Sequence, residues 1–391
     1  MKTFETEIAV IGAGCSGLSL GAHYAHTGKG GRRIIYIEQR PEYKNDRSWC
    51  FWKQKDMAIP LFDDCISQKW PQWRFSGQAF EMICPGRKME YCFISALAFY
   101  RKAQAIIAED RRQTLLLNEQ IKDITEDFGE NGKNICLHTN NTRIYSDTVI
   151  DTRPLQEEKL KNFPMFQIFH GYEIETKRPV FDEQTVGLMD EMRSENQEFK
   201  FVYTLPFSPY KALVEYTAFS RIFYRPEQLK DRLEKHLADK QIKDYKLLRE
   251  ESGILPMGFS KEKNRKKETT NIIRAGSHAG ALRASSGYAF LRIQKWAEII
   301  AGKLSNTDFS YHDTAYTYSS STERFLDNTF IRALTGDMQK SMQIFRQMAQ
   351  TMPPDRFARF MADQASPLDI GCLILSVPKA PFIRAALNGT D

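Results

Sequence analysis

The chain lacks the features that define several large protein classes. No long hydrophobic run occurs in its 391 residues. The longest clean apolar stretch near the C-terminus, Ile370 to Pro378, is nine residues, whereas a membrane-spanning helix needs about twenty. An integral membrane helix is therefore not expected. The N-terminus enters a strand at once, without a basic-then-apolar leader, so no signal peptide is expected either. The seven cysteines (Cys15, Cys50, Cys65, Cys84, Cys92, Cys136 and Cys372) are scattered and form no C-x-x-C pair. That argues against a disulfide framework or zinc site and for a reduced compartment. Repeats and low-complexity linkers are missing. Excess charge is small: 55 Lys and Arg against 49 Asp and Glu leave a net +6. This is too little for a nucleic-acid-binding domain, though it suits an anionic surface. What remains is an ordinary globular mixture, 42% hydrophobic and 27% charged, long enough for two or three structural units. The expected location is cytoplasmic.

The first forty residues carry the clearest pattern. Glu7 to Ile11 reads as a buried strand, followed by Gly12-Ala13-Gly14-Cys15-Ser16-Gly17, a helix from Leu18 to His26, and a second strand from Arg33 to Ile37 that ends in Glu38. This is G-x-G-x-x-G in its strand–turn–helix–strand–acid setting, the dinucleotide-binding arrangement. Gly12 permits the turn, Gly14 lets backbone N–H groups approach a pyrophosphate, and Gly17 lets the helix pack on the strand. The helix N-terminus attracts the phosphates. Glu38, 21 residues after Gly17, is placed to accept the adenosine ribose hydroxyls, and its charge disfavours a 2′-phosphate. FAD is favoured over NAD because the chain does not continue as alternating βα units.

Beyond this unit, Arg47 to Pro85 is rich in Trp, Phe, Cys and Pro with weak periodicity. Ile94 to Asp110 has helical spacing. Strands are expected at Thr114–Asn118, Ile121–Glu126, Ile135–His138 and Thr148–Asp151, with a turn at Glu130-Asn131-Gly132. Gln167 to Thr217 reads as a sheet, clearest at Phe166–His170, Phe201–Leu205 and Ala212–Tyr216. Pro226 to Asp239 is an amphipathic helix with Pro at its start. A strand at Ile272–Ala275 returns to the first domain, Tyr288–Leu304 is a helix, and residues 322–364 are largely helical. The expectation is an α/β protein: a Rossmann-type FAD-binding domain of flavin hydroxylase-like form (1–90, 91–155 and 250–310), an inserted antiparallel β-sheet substrate domain (156–249) and C-terminal helices (311–391).

Several ordered segments resemble the lycopene cyclase family of flavoproteins. They are Asn45 to Trp52, Phe169 to Glu175, Phe201 to Ser208, Ala212-Leu213-Val214-Glu215-Tyr216-Thr217, Glu251 to Met257, Ala279 to Tyr288, and the run from Pro353 to Pro378. Together they are far more specific than the nucleotide turn. The resemblance implies a non-redox cyclase that needs reduced FAD and makes β-ionone rings from lycopene ends, with NAD(P)H as a candidate electron source. Two positions depart from the family pattern. Tyr216 stands where a second acid is usual, and Arg283-Ala284 where a His-Pro or Lys-Pro pair is usual. Gly276-Ser277 lacks the Gly-Asp of flavin hydroxylases, and Asp151-Thr152-Arg153-Pro154 replaces their later Asp-Gly. Both argue against a hydroxylase. The rival readings are a flavin-dependent isoprenoid reductase or monooxygenase, a cyclase of another prenylated substrate, and a non-catalytic carotenoid-binding flavoprotein.

Such a cyclisation needs an acid, an apolar tunnel, cation stabilisation and a base. Glu215 interrupts an apolar strand; burial would raise its pKa and keep a proton available. Its other reading is an outward-facing strand carboxylate. The resemblance favours the acid. Trp49, Phe51, Trp52, Tyr216 and Tyr288 are candidates for lining the substrate and offering aromatic faces to a cation, or else for core packing. Expected cofactor contacts, besides the first glycines and Glu38, are Arg47, Gly276, Gly280, Ser286 and Gly287. The run from Gly280 to Gly287 is expected to pass close to the isoalloxazine. Arg283 either favours an anionic flavin or makes a surface salt bridge. Glu173 and Glu175 share a strand face and are either a catalytic pair or solvated. His170 is a packed or capping histidine, and no metal site is expected. The insoluble substrate must come from a bilayer, so peripheral membrane association is expected, with no nucleic-acid partner. Lys261 to Lys267 is either a headgroup contact or a solvated hairpin. Ile370 to Ile383 is a membrane-facing patch, a tunnel wall or core. Oligomeric state is left open.

Overall fold

The computed structural model describes residues 1–125, 135–261, 271–306 and 316–387. The expected turn at Glu130-Asn131-Gly132 and most of the Lys261–Lys267 loop lie outside these residues.

The first sheet has the strand order Gln113–Leu116, Ile34–Ile37, Lys2–Ile11, Thr142–Asp151, Ile135–Thr139, Ile121–Thr125, and Ile272–Arg274 pairs with Thr142–Asp151 as well. Its central strands are parallel. Buried on both faces, they read as continuous apolar runs such as Ile8 to Ile11 and Ile34 to Ile37. One face carries the helices Cys15–Thr27, Ala96–Ala108 and Phe290–Leu304. The expected Ile94 helix begins at Ala96, because Ser95 caps it by accepting from the Ala98 N–H at 3.3 Å. The expected Tyr288 helix begins at Phe290. Gly287 ahead of it sits at φ +76°, a conformation that ends helical geometry.

The second sheet has seven strands in the order Tyr245–Met257, Met165–Thr176, Lys211–Ser220, Glu198–Ser208, Thr185–Glu195, Gln72–Gly77, Phe80–Pro85. Two sequence boundaries shift here. Gln72–Pro85 joins this sheet rather than staying with residues 1–90, and Tyr245–Met257 extends it past residue 249. The first contribution was hidden by weak alternation. The second strand carries Gly253 and Pro256, residues tolerated in a strand when it lies at a sheet edge, as it does here. A three-stranded sheet, Ser48–Gln54, Met89–Ser95 and Ile66–Trp70, joins the two halves.

Alternation along the second sheet decides what lies on each face. Even-numbered residues of Lys211–Ser220 (Ala212, Val214, Tyr216, Ala218) pack with Leu229, Leu233 and Leu237 of the segment Pro226–Asp239. Odd-numbered residues face the other way, where Leu213 and Phe219 meet Ile344, Phe345 and Met348 of the C-terminal helices. Those helices are Ser321–Gly336, Ser341–Thr351, Pro354–Met361, Pro367–Ser376 and Lys379–Leu387.

Candidate functional site

One cavity of about 1180 Å³ runs from the glycine turn of the first sheet, across the second sheet, to the C-terminal helices. It is somewhat larger than ordinary ligand pockets of roughly 300–1,000 Å³.

At the first end it is lined by Gly12, Gly14, Cys15, Ser16, Glu38, Arg40, Arg47 and Thr152. Gly12 sits at φ +88°. A β-carbon on Gly17 would lie 2.1 Å from the Gly12 carbonyl oxygen, so only glycine lets the helix start against the turn. Helix Cys15–Thr27 has no side-chain cap, and its first turn faces the cavity, leaving N–H groups for an anion. Glu38 accepts from the Ala13 N–H at 2.9 Å and from Arg40 Nε at 3.0 Å. Burial pushes this carboxyl up, but Arg40's hydrogen bonds and charge outweigh it and hold the group below the usual range. The Arg40 backbone N–H at 3.0 Å and its Nη2 at 3.1 Å complete four bonds to this carboxylate, which fills its lone-pair sites, so a ribose hydroxyl would take the place of one of the Arg40 bonds. Arg40 lies beside the rings of Tyr43 and Tyr100 at 4.8 and 5.1 Å, which fixes it in place. Further along, Ser286 and Gly287 line the cavity, and the buried Ser286 Oγ has no hydrogen-bond partner among the described residues. An uncapped helix start, a carboxylate facing the cavity and an unpaired hydroxyl along one open channel fit a flavin dinucleotide.

Gly276 and Gly280 do not line this channel. Gly276 turns at φ +67° against Ser16, and Gly280, at φ +91°, has no neighbour near its absent β-carbon. Both take the left-handed backbone conformation that a turn at this point requires. Arg283 is also off the cavity. It is 1% exposed, pairs with Asp327 at 3.4 Å and Asp363 at 3.1 Å, lies over the Phe360 ring, and donates to the Phe360 carbonyl. It is neither a surface charge nor a flavin contact; it ties the C-terminal helices to the 280–288 segment.

In the middle of the cavity, four strands bring Tyr203, Glu215, Gly171 and Glu251 into one row. Tyr203 pairs with Glu215, Glu215 with Gly171, and Gly171 with Glu251. Tyr203, Glu215 and Glu251 all line the cavity. Glu215 is 7% exposed and has no hydrogen-bond partner among the described residues. Burial raises its pKa well above the carboxylate range; the charge of Glu251 adds to this and Arg249 opposes it. Glu251 is held by the Ser48 N–H at 2.9 Å, Ser48 Oγ at 2.7 Å and Arg249 Nη1 at 2.7 Å. Tyr91 Oη lies 2.8 Å from both Tyr203 Oη and Tyr288 Oη, forming a chain of phenols over the row.

Of the expected substrate residues, Trp49, Trp52 and Tyr288 line the cavity. Tyr216 does not. Its neighbour Glu215 faces the cavity, and successive strand residues point to opposite faces. Tyr216 packs beneath the sheet, where its hydroxyl accepts from Arg193 at 2.7 Å. Phe51 is likewise a core residue, stacked on Phe290 at 5.2 Å in the nucleotide-binding half. Its strand turns Cys50 and Trp52 to the cavity instead. Glu173 is off the cavity, bound by Lys211 at 2.7 Å and Arg249 at 3.0 Å, and Glu175 is exposed. His170 is buried against Tyr172. Among the described residues no cluster suits a metal ion.

Residues 7–387 match the family described as Lycopene cyclase protein. The chain belongs to the lycopene cyclase family. A lycopene beta-cyclase of Pantoea ananas is 25% identical over 231 residues, 56% of this chain and 58% of the relative. One of Paracoccus sp. is 28% identical over 163 residues, 41% and 42%. The chain thus spans about half the length of the curated relatives it matches. The fold is shared with solved flavoenzyme structures. A geranylgeranyl bacteriochlorophyll reductase-like protein of Thermoplasma acidophilum gives a TM-score of 0.61 at 14% identity over 98% of each chain. A probable FAD-dependent monooxygenase of Pseudomonas aeruginosa gives 0.53 at 13%, over 87% of this chain and 98% of its own.

Within this lycopene cyclase-family chain, the site residues that sequence reasoning did not single out are Arg40, Ser48, Tyr91, Tyr203, Arg249 and Glu251. Glu251 lies in a segment that carries the family resemblance, yet its place beside Glu215 depends on strand pairing. Arg40 has a local signal: a cation two residues beyond the strand-end acid.

Proposed function

We propose that this protein cyclises the ψ-ends of lycopene to β-ionone rings, through γ-carotene to β-carotene, by proton-initiated carbocation chemistry without net oxidation. Glu215 is the acid. The observation that carries this reading is a carboxyl biased by burial toward its protonated form, unpaired, on an apolar wall formed by Phe169, Phe201 and Phe219. Such a group holds a proton that water cannot take and delivers it to an alkene lying against the sheet. General acid catalysis of this kind is worth about 10²–10⁴-fold. The faces of Trp49, Trp52 and Tyr288 add cation stabilisation of about 0.5–2 kcal/mol each.

FAD belongs to the same proposal, held by Gly12, Gly14, the start of helix Cys15–Thr27, Glu38 and Ser286. When bound in its reduced form it supplies negative charge beside a developing cation. NAD(P)H is a candidate source of its electrons. The test is anaerobic incubation of the FAD-loaded, reduced protein with all-trans-lycopene in lipid vesicles, followed by chromatography and mass measurement. Cyclic products of unchanged mass support the reading. Products two or more mass units away point to a reductase or monooxygenase instead, and unchanged lycopene points to another prenyl substrate.

The substrate enters, on this proposal, from a bilayer on which the protein sits peripherally. Ile374 and Ile383 both line the cavity and are exposed, beside exposed Leu375 and Leu387. Among the described residues of the last two helices Lys379 and Arg384 are the exposed charges, while Asp369 is buried against Arg356 and Arg359. Apolar side chains with cations and, among the described residues of these two helices, no exposed acid suit an anionic lipid surface. Among the described residues no single helix is long and apolar enough to cross a membrane, and Pro367–Ser376 and Lys379–Leu387 meet at 115°.

A further inference from the structure

Removal of the second proton is the unassigned half of the proposed reaction. A cyclisation that begins with protonation of the terminal double bond must end with loss of a proton from a different carbon, at the junction of the new ring and the polyene. Glu215, having given its proton to one carbon, would have to reach a different carbon to take one back. The cavity holds a second carboxylate in register with it.

Glu251 and Glu215 lie on the strands flanking Gly171, two strand spacings apart, or about 9.5 Å between backbones. Gly171 is what opens the space between them. A β-carbon there would come within 2.5 Å of Glu215 Cγ and 3.2 Å of its Cβ. The Glu215 side chain therefore leans over the strand that separates it from Glu251. Both carboxyls line the cavity, but their surroundings are opposite. Glu215 meets no hydrogen-bond donor among the described residues. Every hydrogen bond made to Glu251 comes from a donor: the Ser48 N–H, the Ser48 hydroxyl and the Arg249 guanidinium. That is the pattern of a carboxylate anion held in one orientation. Arg249 is itself fixed on its far side by Glu173, at 3.0 Å, and also donates to Ser48 Oγ at 2.9 Å. The charged set Lys211, Glu173, Arg249, Glu251 thus runs along the sheet and ends at the cavity with a negative group.

We infer that Glu251 is the base of the cyclisation, taking the proton that the ring cation loses, while Glu215 gives the proton that starts it. This rests on the cyclase reading above. The balance closes without an oxidant or reductant. The Glu215 O–H bond breaks and a C–H bond forms at the terminal alkene. The alkene five carbons along closes the ring by a C–C bond. A ring C–H bond then breaks, its electron pair becoming the ring double bond and its proton passing to a Glu251 oxygen. Return of that proton to Glu215, across Gly171, restores the starting state. Two carboxyls in opposite protonation states facing one substrate is the arrangement by which paired acids divide the two roles.

The test runs the FAD-loaded, reduced protein on lycopene in D₂O and reads both product and recovered substrate by mass. Wild type is expected to give rings carrying one deuterium each. With Glu215→Gln, cyclisation and deuterium uptake should both vanish. With Glu251→Gln the terminal alkene is still protonated, but the cation has no base and reverts. Cyclised product should fall at least tenfold while recovered lycopene gains deuterium at its ends. A merely structural role would lower both together. Glu251→Gln cyclising within twofold of wild type, or losing deuterium uptake along with product, overturns the assignment. Should Glu251→Gln fail to fold or to hold FAD, Glu251→Asp decides. It keeps the charge but withdraws it by one methylene, so reduced product with deuterated substrate is expected, and wild-type rate with undeuterated substrate overturns the inference. Wild type that forms no ring product sinks the cyclase reading itself, and is told apart because it needs no variant.

Discussion

Glu215 shows how much of this site depends on a single side chain and its immediate neighbours. Its carboxyl is pushed above the usual range chiefly by burial and secondly by the charge of Glu251. The contribution of Glu215 to activity should therefore be lost as pH rises through its raised value, because its working form is the protonated one. The same shift has a stability consequence. Between the unfolded and folded pKa values the native state binds more protons than the unfolded state, so stability falls as pH rises across that window. Glu215→Gln should flatten that slope in denaturant titrations across the pH series while lowering turnover by about 10²-fold or more. Unchanged slope with lost activity would mean the group is ionised in the native state. The donor role was legible in the sequence only in part. An acid inside an apolar strand marks Glu215, but the fate of Tyr216 beside it follows from which face the sheet buries, and that is decided by the Pro226–Asp239 segment and the C-terminal helices, far away in the chain.

Elements decide whether such residues meet. The glycine turn and first helix were readable because their geometry is local: Gly12 at φ +88° and the close approach at Gly17 are imposed within a few residues. The carboxylate row was not, because it needs the strands Lys211–Ser220, Met165–Thr176 and Tyr245–Met257 to pair in one register. Gly171 is its test. Gly171→Ala introduces a β-carbon 2.5 Å from Glu215 Cγ, and overpacking of this kind costs about 1–3 kcal/mol. Turnover should drop more than substrate affinity, since the displaced group acts in the chemical step; steady-state kinetics on lycopene vesicles measures the split. Arg283 tests the second element-level correction. Arg283→Ala leaves Asp327 and Asp363 facing each other without their shared cation, a loss of about 3–5 kcal/mol for a broken buried pair. Urea denaturation should show that loss, while FAD affinity of the folded fraction stays within twofold. A selective loss of FAD would restore the flavin-contact reading.

At the scale of the whole molecule, one cavity joins the glycine turn, the carboxyl row and an exposed apolar mouth. The mouth is built from the last helices, whose apolar run was visible in the sequence as membrane patch, tunnel wall or core. Successive residues divide between these surroundings: Leu373 is buried in the core and reaches the cavity, Ile374 lines the cavity while exposed, and Leu375 is exposed. A double Leu375→Asp, Leu387→Asp variant should lose co-sedimentation with anionic vesicles by tenfold or more while keeping its bound FAD. Binding within twofold of wild type would move the membrane contact elsewhere. The central claim, that the protein moves protons and not electrons into its substrate, is tested most directly by the mass of the pigment formed from lycopene in D₂O under anaerobic, pre-reduced conditions. Cyclic product heavier than lycopene by one deuterium per ring, with none from Glu215→Gln, is the predicted result. Product whose mass shows hydrogen or oxygen gained or lost, formed in proportion to NAD(P)H consumed, would contradict it.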